Sequence, residues 1–352
     1  MRACTLFKGL PILGLPLLLA CGGGGAGGGG KNLTPGYAYV VNSSNGSLWS
    51  YSIDPTTGAL SSIGNPVYAS SNPQGVALDR NQQFLYVACS TFGSVDVFSF
   101  DAATHLPKAV TSAPTSAGSS SLALSPDGAH VYAGGTAGIY TFATSASGTL
   151  TSTGAVVATG TAYNLAIDPL GRVLVSGDGS AIRVHALNPT TGQPSSTPTV
   201  LAAPQLSHGI LFHPNGKTLY VVGATSTTAS QIQPYTLDAS GNLASLAPVA
   251  MGAYPWTCAL DPTGRWLFVA NADRTITTYA IDATGAPTQA SVSAVLPYYT
   301  RNLAMTPDGK FLFDSFNTTY MGIGTLTMDA GGALHLIGTS NMTGNPAATV
   351  FR

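Results

Sequence analysis

The sequence contains no glutamate: all 14 acidic residues are aspartates. A glutamate general base and a glutamate metal ligand are thereby excluded, and the polar residues that favour solvent-facing helices are scarce. Charge of either sign is sparse, 8% of the chain against the usual ~25%. With 13 basic residues and a net charge of -1, there is no electrostatic footprint for nucleic acid. Cysteine is rare as well. Cys4 and Cys21 lie near the N-terminus, so only Cys89 and Cys258 remain in the body. Both fall in strand-like stretches, in repeat units far apart, where a small apolar residue fits and a disulfide between them is not expected. There is also no apolar run long enough to cross a bilayer. The longest, Gly9–Ala20, is short and interrupted by Pro11 and Pro16.

What is present is 44% hydrophobic residues separated by glycine, serine, threonine and alanine, a composition of many short strands and small turns and not of a disordered chain. The opening "MRACTLFKGLPILGLPLLLAC" reads as a secretory signal over residues 1–20. Leu18-Leu19-Ala20-Cys21 resembles a bacterial lipoprotein processing box, which implies cleavage before Cys21 and lipidation of its sulfur. A Gly-rich tether completes residues 21–36, and the folded body is expected over 37–352. These features predict a protein of the bacterial cell envelope, anchored in the outer membrane by its N-terminal lipid alone and facing the periplasm or the exterior.

The body repeats with a period of about 46 residues, in the range of radial or stacked arrays. One phrase recurs as "GVALDRNQQFLYVA", "SLALSPDGAHVYAG", "NLAIDPLGRVLVSG", "GILFHPNGKTLYVV", "TCALDPTGRWLFVA" and "NLAMTPDGKFLFDS". Each is a strand, a tight turn and a second strand. Proline sets φ at the head of the turn and glycine supplies positive φ. A second phrase follows, as in "SLWSYSIDPTTGAL" and "TITTYAIDATGAPT": a period-2 strand ending in Asp, then a Gly turn. Each unit therefore supplies four strands, A to D. Such sheets bury both faces when packed about an axis. The body begins with a B strand, Tyr37–Asn42, and ends with an unpaired A strand, Ala347–Arg352. The expected fold is all-β: a seven-bladed β-propeller of four-stranded antiparallel blades, closed by the C-terminal strand joining the N-terminal blade.

Register separates scaffold from site. His213 aligns with Asp79, Ser125, Asp168, Asp261 and Thr306 before the A–B turns, where a short polar side chain caps backbone N–H groups. It lies one A strand away from His208, so the two histidines cannot share a metal. Most aspartates repeat in the same way; Asp96, Asp178, Asp273 and Asp314 do not. The residue before each A strand forms another column: Gln74, Ser120, Tyr163, His208, Trp256, Arg301 and Ala347. Its chemistry varies while the apolar positions hold steady. Neighbouring loops add Asn164, Tyr254, Tyr298, Tyr299, Asn302, Asp178, Asp273 and Arg274. Aromatic walls with a few convergent polar groups at a concave mouth predict a small-ligand site.

At "SHGILFHPNGKTLYVV" and the "YVAN"-like strands the body resembles the seven-bladed lactonase family, which includes propeller-type 6-phosphogluconolactonase and the fungal carboxy-muconate lactonizing enzyme, and it overlaps the YVTN surface-layer repeats. The resemblance implies that His208 is the active-site histidine and that Asp178 matches a family aspartate. It also exposes departures. Ser207 replaces the arginine before the histidine, Gly223-Ala224 replaces an Asn-Glu pair, and Thr161-Ala162-Tyr163 replaces a His-X-His stretch. Catalysis would then rest on His208 as base, with Asp178, and with Arg301 as the oxyanion partner. The reading that follows is a lactonase-like propeller that binds a carbohydrate, peptide or protein partner at its channel mouth without catalysis. The alternative is a hydrolase opening a sugar or small-molecule lactone. Neither requires a cofactor or metal, and no nucleic-acid partner is expected.

Overall fold

The computed structural model describes residues 19–21, 24–26, 36–154, 156–157, 160–204, 207–224, 229–317 and 321–352; the side chains of the segment before Gly36 and of Ser207, His208 and Asn317 are outside that description. Of the expected signal segment only the backbone of Leu19–Ala20 is described, and the side chain of Cys21, the expected lipidation site, lies outside the described residues. Of that segment, Leu19–Cys21 pairs antiparallel with Gly24–Ala26.

The remaining strands form seven antiparallel sheets. Blade 1 runs outward from Pro346–Phe351 through Tyr37–Asn42 and Ser47–Ile53 to Leu60–Ser62, with Val67–Tyr68 extending its outer edge. Blades 2, 3 and 4 have inner strands Pro73–Leu78, Ser121–Leu124 and Asn164–Ile167. Those of blades 5, 6 and 7 are Ser207–Phe212, Pro255–Leu260 and Thr300–Met305. Every described sheet runs from hub to rim in chain order except blade 1, whose hub strand comes from the C-terminus, as expected. Ala38 pairs with Phe351 and Val41 with Ala348.

Among the described residues seven buried apolar clusters form, one at each junction between neighbouring blades. The junction that closes the ring packs Ala38, Val40, Tyr51 and Phe351 of blade 1 against Phe311, Phe313 and Ile323 of blade 7. Alternating strand residues explain this. One set of side chains packs against the preceding blade and the other against the next. Buried tyrosines stitch neighbours together, because a buried hydroxyl needs an acceptor. Tyr39, Tyr132 and Tyr220 donate to the carbonyls of His105, Gly192 and Gly285 in the following blade, at 2.8–2.9 Å. At Gly192, φ is +66° and a Cβ would overlap the His130 ring, so only glycine fits that turn.

The turn aspartates behave as the register predicts. Asp79 accepts the Gln83 and Phe84 N–H groups at 2.5 Å, and Asp54 those of Thr56 and Thr57 at 2.9 and 2.7 Å. His213 accepts the Asn215 N–H on Nδ1 (3.1 Å), while its Nε2 reaches the Gly264 carbonyl (2.9 Å). It is a turn residue bridging blades 5 and 6. Cys89 and Cys258 are buried, and no disulfide occurs among the described residues.

Candidate functional site

The variable column is built by a backbone irregularity. In five blades the A–B pairing slips by one residue at the entrance to the inner strand. The residue skipped is Gln74, His208, Trp256, Arg301 or Ala347. These residues were expected just before the A strands; the structure places them within those strands, as β-bulges. A bulge interrupts the regular pairing of its strand and re-aims the chain locally, a device common next to active sites. In blades 3 and 4 the inner strands start two residues later in register, just past this column, and Ser120 and Tyr163 donate their backbone N–H groups to the carbonyls of Gly134 and Gly177 at 2.9 and 3.0 Å.

Three successive bulges, on blades 5, 6 and 7, carry His208, Trp256 and Arg301. The guanidinium of exposed Arg301 lies over the Trp256 ring, 5.0 Å from its centroid. Tyr254 meets Trp256 edge-on at 5.7 Å. Beside them Arg274 lies 5.9 Å from the ring centre of Tyr299, whose side chain is 47% exposed. The result is one shelf of three aromatic rings and two guanidinium groups, suited to an anionic or strongly polar ligand with an apolar face. Arg274 has φ +67°, a left-handed conformation for a non-glycine residue. Its loop is tied down by N–H donation from Ala272 to Tyr254 O (2.7 Å) and from Leu296 to Arg274 O (2.8 Å). Exposed Asp273 accepts the Thr275 N–H (3.1 Å) and hydroxyl (2.6 Å).

The opposite half of the mouth is built largely from amide and hydroxyl groups. Gln74 Nε2 donates to Asn72 Oδ1 (2.6 Å), and Asn72 Nδ2 to Ser90 Oγ (2.7 Å). Asn72 has φ +57°. Tyr163 is half exposed and Asn164 partly buried. Two expected members sit deeper than a ligand wall would. Tyr298 is buried, its ring stacked on Phe316 with centroids 3.7 Å apart and its hydroxyl donating to Asp314. Asn302 is also buried, and its Oδ1, like Ser120 Oγ, has no hydrogen-bond partner among the described residues.

Asp178 is fully engaged. It pairs with Arg183 at 2.5 Å and accepts the Ser180 and Ala181 N–H groups and the Ser180 hydroxyl at 2.8–2.9 Å. Burial pulls its pKa upward, but the Arg183 guanidinium and these donors prevail and hold the carboxyl well below the usual carboxylate range. Such a group is a poor proton acceptor. Arg183 was not singled out from the sequence; it sits on an ordinary C strand, and only the structure pairs it with Asp178. Asp314, like Asp96, was set apart by the repeat but given no role. No group of three or more His, Cys, Asp or Glu side chains with metal-binding geometry occurs among the described residues.

The profile of the family "Lactonase, 7-bladed beta-propeller" matches residues 34–115 and 175–297. The chain belongs to that lactonase family. The matched residues include His208, Asp178, Trp256 and Arg274, while Ser120, Tyr163 and the whole Tyr298–Asn302 segment with Arg301 fall outside. Among solved structures, this lactonase-family propeller is similar to a candidate 6-phosphogluconolactonase of Bacteroides fragilis, with 17% identity, 92% of this chain and 99% of that one covered, and a TM-score of 0.77. A second candidate 6-phosphogluconolactonase, from Bacteroides uniformis, has the same identity, 91% and 100% coverage and a TM-score of 0.76. The periplasmic gluconolactonase PpgL of Pseudomonas aeruginosa is also 17% identical, with 90% and 98% coverage and a TM-score of 0.75. At this identity the likeness concerns the fold. No curated protein sequence matches the chain.

Proposed function

We propose that the channel mouth binds a small lactone and opens it by hydrolysis. The observation that carries this reading is the Arg301–Trp256 pair on bulges next in the ring to that of His208, within a lactonase-family propeller. His208 would take a proton from water as the water oxygen attacks the lactone carbonyl. Arg301 would hold the oxyanion, and Trp256 and Tyr299 would cover the apolar face of the ring. The ring C–O bond then breaks, the leaving alkoxide takes up a proton, and the hydroxy acid is released as a carboxylate beside two guanidinium groups. Similarity to proteins named gluconolactonase supports an aldonolactone as the first substrate to try.

A lactone panel followed by pH-stat tests this. Hydrolysis is expected for at least one aldonolactone, with His208→Ala lowering kcat about 10²–10⁴-fold and Arg301→Ala about 10²–10³-fold. A flat panel would overturn the reading. Binding without turnover is the second reading, favoured by the engagement of Asp178 with Arg183, which leaves that carboxylate unfit to assist a base. Under that reading gluconate is retained by the wild type, lost on Trp256→Ala with Tyr299→Ala, and never produced from the lactone. We also propose that the protein works at the cell envelope through an acyl chain on Cys21. Labelling with an alkyne fatty acid that disappears in Cys21→Ser would support this.

A further inference from the structure

Asp314 occupies a position that the repeat reserves for the core. The residues in its register on the other B strands are Val40, Val87, Ala133, Ser176, Val221 and Val269, all buried. The one other polar member, Ser176, bonds to His185. Asp314 is fully buried, and no ion pair with it occurs among the described residues. Both carboxyl oxygens instead take hydroxyl donors from one short stretch of chain. Tyr298 donates to Oδ1 at 3.2 Å and Thr300 to Oδ2 at 3.1 Å.

That stretch, Tyr298–Asn302, leads into the inner strand of blade 7, and its side chains alternate. Tyr298, Thr300 and Asn302 are buried, whereas Tyr299 and Arg301 are exposed on the shelf. Directly across the sheet from Asp314 stands Gly324. A Cβ there would overlap both the Asp314 carboxyl and the Tyr298 hydroxyl, so the glycine makes room for the cluster. Phe316 stacks under Tyr298 with ring planes 10° apart and completes the seat.

We infer that Asp314 is a positioning residue for the mouth: through Tyr298 and Thr300 it grips the Tyr298–Asn302 strap from behind and so fixes Tyr299 and Arg301 on the shelf. The inference rests on the reading of that shelf as the ligand site. Asp314 itself touches no ligand in this role, since its carboxyl is fully buried. The strap lies outside the part of the chain that matches the family profile.

The test separates placement from function. The protein has three tryptophans, Trp49, Trp256 and Trp266. Labelled with 5-fluorotryptophan, it gives three fluorine resonances, and Trp256→Phe assigns the one beneath Arg301. Asp314→Val, which restores the residue usual at this register, is expected to move the Trp256 resonance in the same direction as Arg301→Ala and to leave the other two in place. Asp314→Asn, which can bond both hydroxyls, is expected to keep all three. Asp314→Ala serves in place of valine if that variant fails to fold.

With D-glucono-1,5-lactone as probe, Asp314→Val is expected to lower kcat/KM about tenfold and Asp314→Asn less than twofold. A folded Asp314→Val with an unmoved Trp256 resonance overturns the inference. So does an equal loss of kcat/KM in Asp314→Asn and Asp314→Val. If the wild type neither hydrolyses the lactone nor binds gluconate, the functional reading falls, and the resonances alone decide the positioning role.

Discussion

The buried carboxyl of Asp314 makes stability depend on pH in a direction opposite to that of most aspartates. Burial raises its pKa from 3.8 to about 7, and the hydroxyls of Thr300 and Tyr298, with the Gly324 backbone, oppose the shift without cancelling it. A group whose folded pKa exceeds its unfolded one binds its proton more tightly in the native state. Its contribution is therefore fully present below about pH 4 and is lost as pH rises through about 7. Three units at 1.36 kcal/mol each give about 4 kcal/mol lost at pH 8, against about 1 kcal/mol at pH 4.5. Asp314→Asn cannot ionise and keeps partners for both hydroxyls. It is expected to be more stable than the wild type, by a margin that widens across this range. With an unfolding entropy of ~2.1 cal/mol/K per residue, 4 kcal/mol corresponds to a Tm difference of about 6 °C for a propeller of this length. Scanning calorimetry of both proteins from pH 4.5 to 8.5 measures it. A Tm difference that stays constant, or narrows as pH rises, would refute the account of Asp314 as a carboxyl held neutral by burial.

Other expectations follow from single contacts. Buried His185, held by Ser195 O (2.8 Å) and Ser176 Oγ (3.2 Å), has its pKa lowered, first by burial and then by the charge of Arg183, against the Ser195 hydrogen bond. Its contribution is present above the unfolded histidine value and is lost as pH falls below it. In an Asp314→Asn background, urea midpoints should therefore drop below about pH 6.5, and His185→Gln should flatten that limb. Gly209→Ala would drive a Cβ into Cys258 Sγ, costing about 1–3 kcal/mol. Cys258→Ala should recover most of that loss in a double-mutant cycle by denaturant unfolding. Removing residues 346–352 takes away the hub strand of blade 1 and exposes the edge of Tyr37–Asn42. The truncated chain is expected to aggregate in size-exclusion chromatography. Arg352→Ala, which loses the Gln82 carbonyl (2.8 Å), the contact with His105 Nδ1 (3.2 Å) and the stack on Phe100 (4.3 Å), should stay folded with a lower Tm.

Most of the architecture was legible because the repeat averages over noise. Seven copies of one apolar pattern, the Pro–Gly turns and the unpaired strand at each terminus leave little besides a closed ring. The same register assigned His213 and the turn aspartates to the scaffold, and the hydrogen bonds of His213, Asp54 and Asp79 agree. The site was legible only as a column of unlike residues. Nothing in residue type announces that Gln74, His208, Trp256, Arg301 and Ala347 are bulged, since a bulge is a property of pairing with a partner strand. Tyr298 and Tyr299 are chemically identical neighbours that face opposite ways. Their segment alternates Tyr, Thr and Asn inward with Tyr and Arg outward, so hydropathy carries no contrast there. Asp178 was placed correctly at the B–C loop, but its partner Arg183 lies five residues away on a strand whose pattern conceals the ion pair.

These failures share one physical cause, which bears on how the mouth is made. A strand that follows its alternation strictly commits every second side chain to a neighbouring blade, and the inner strands have no residues to spare for a ligand. In the five bulged blades the bulge releases one residue from that commitment without disturbing the apolar residues that follow it, so Val76, Ile210, Cys258 and Leu303 stay buried just beyond their bulges. The released residue then needs support of its own, because its backbone has left the regular ladder. On blade 6 that support includes the Tyr254 carbonyl held by Ala272 and the ring contact of Tyr254 with Trp256. On blade 7 it is the Asp314 cluster, at the expense of a buried carboxyl where its neighbours carry valine. Replacing Arg301 on its supported strap should therefore change ligand handling with little effect on Tm, whereas replacing Thr300, which is equally close to the mouth, should change both.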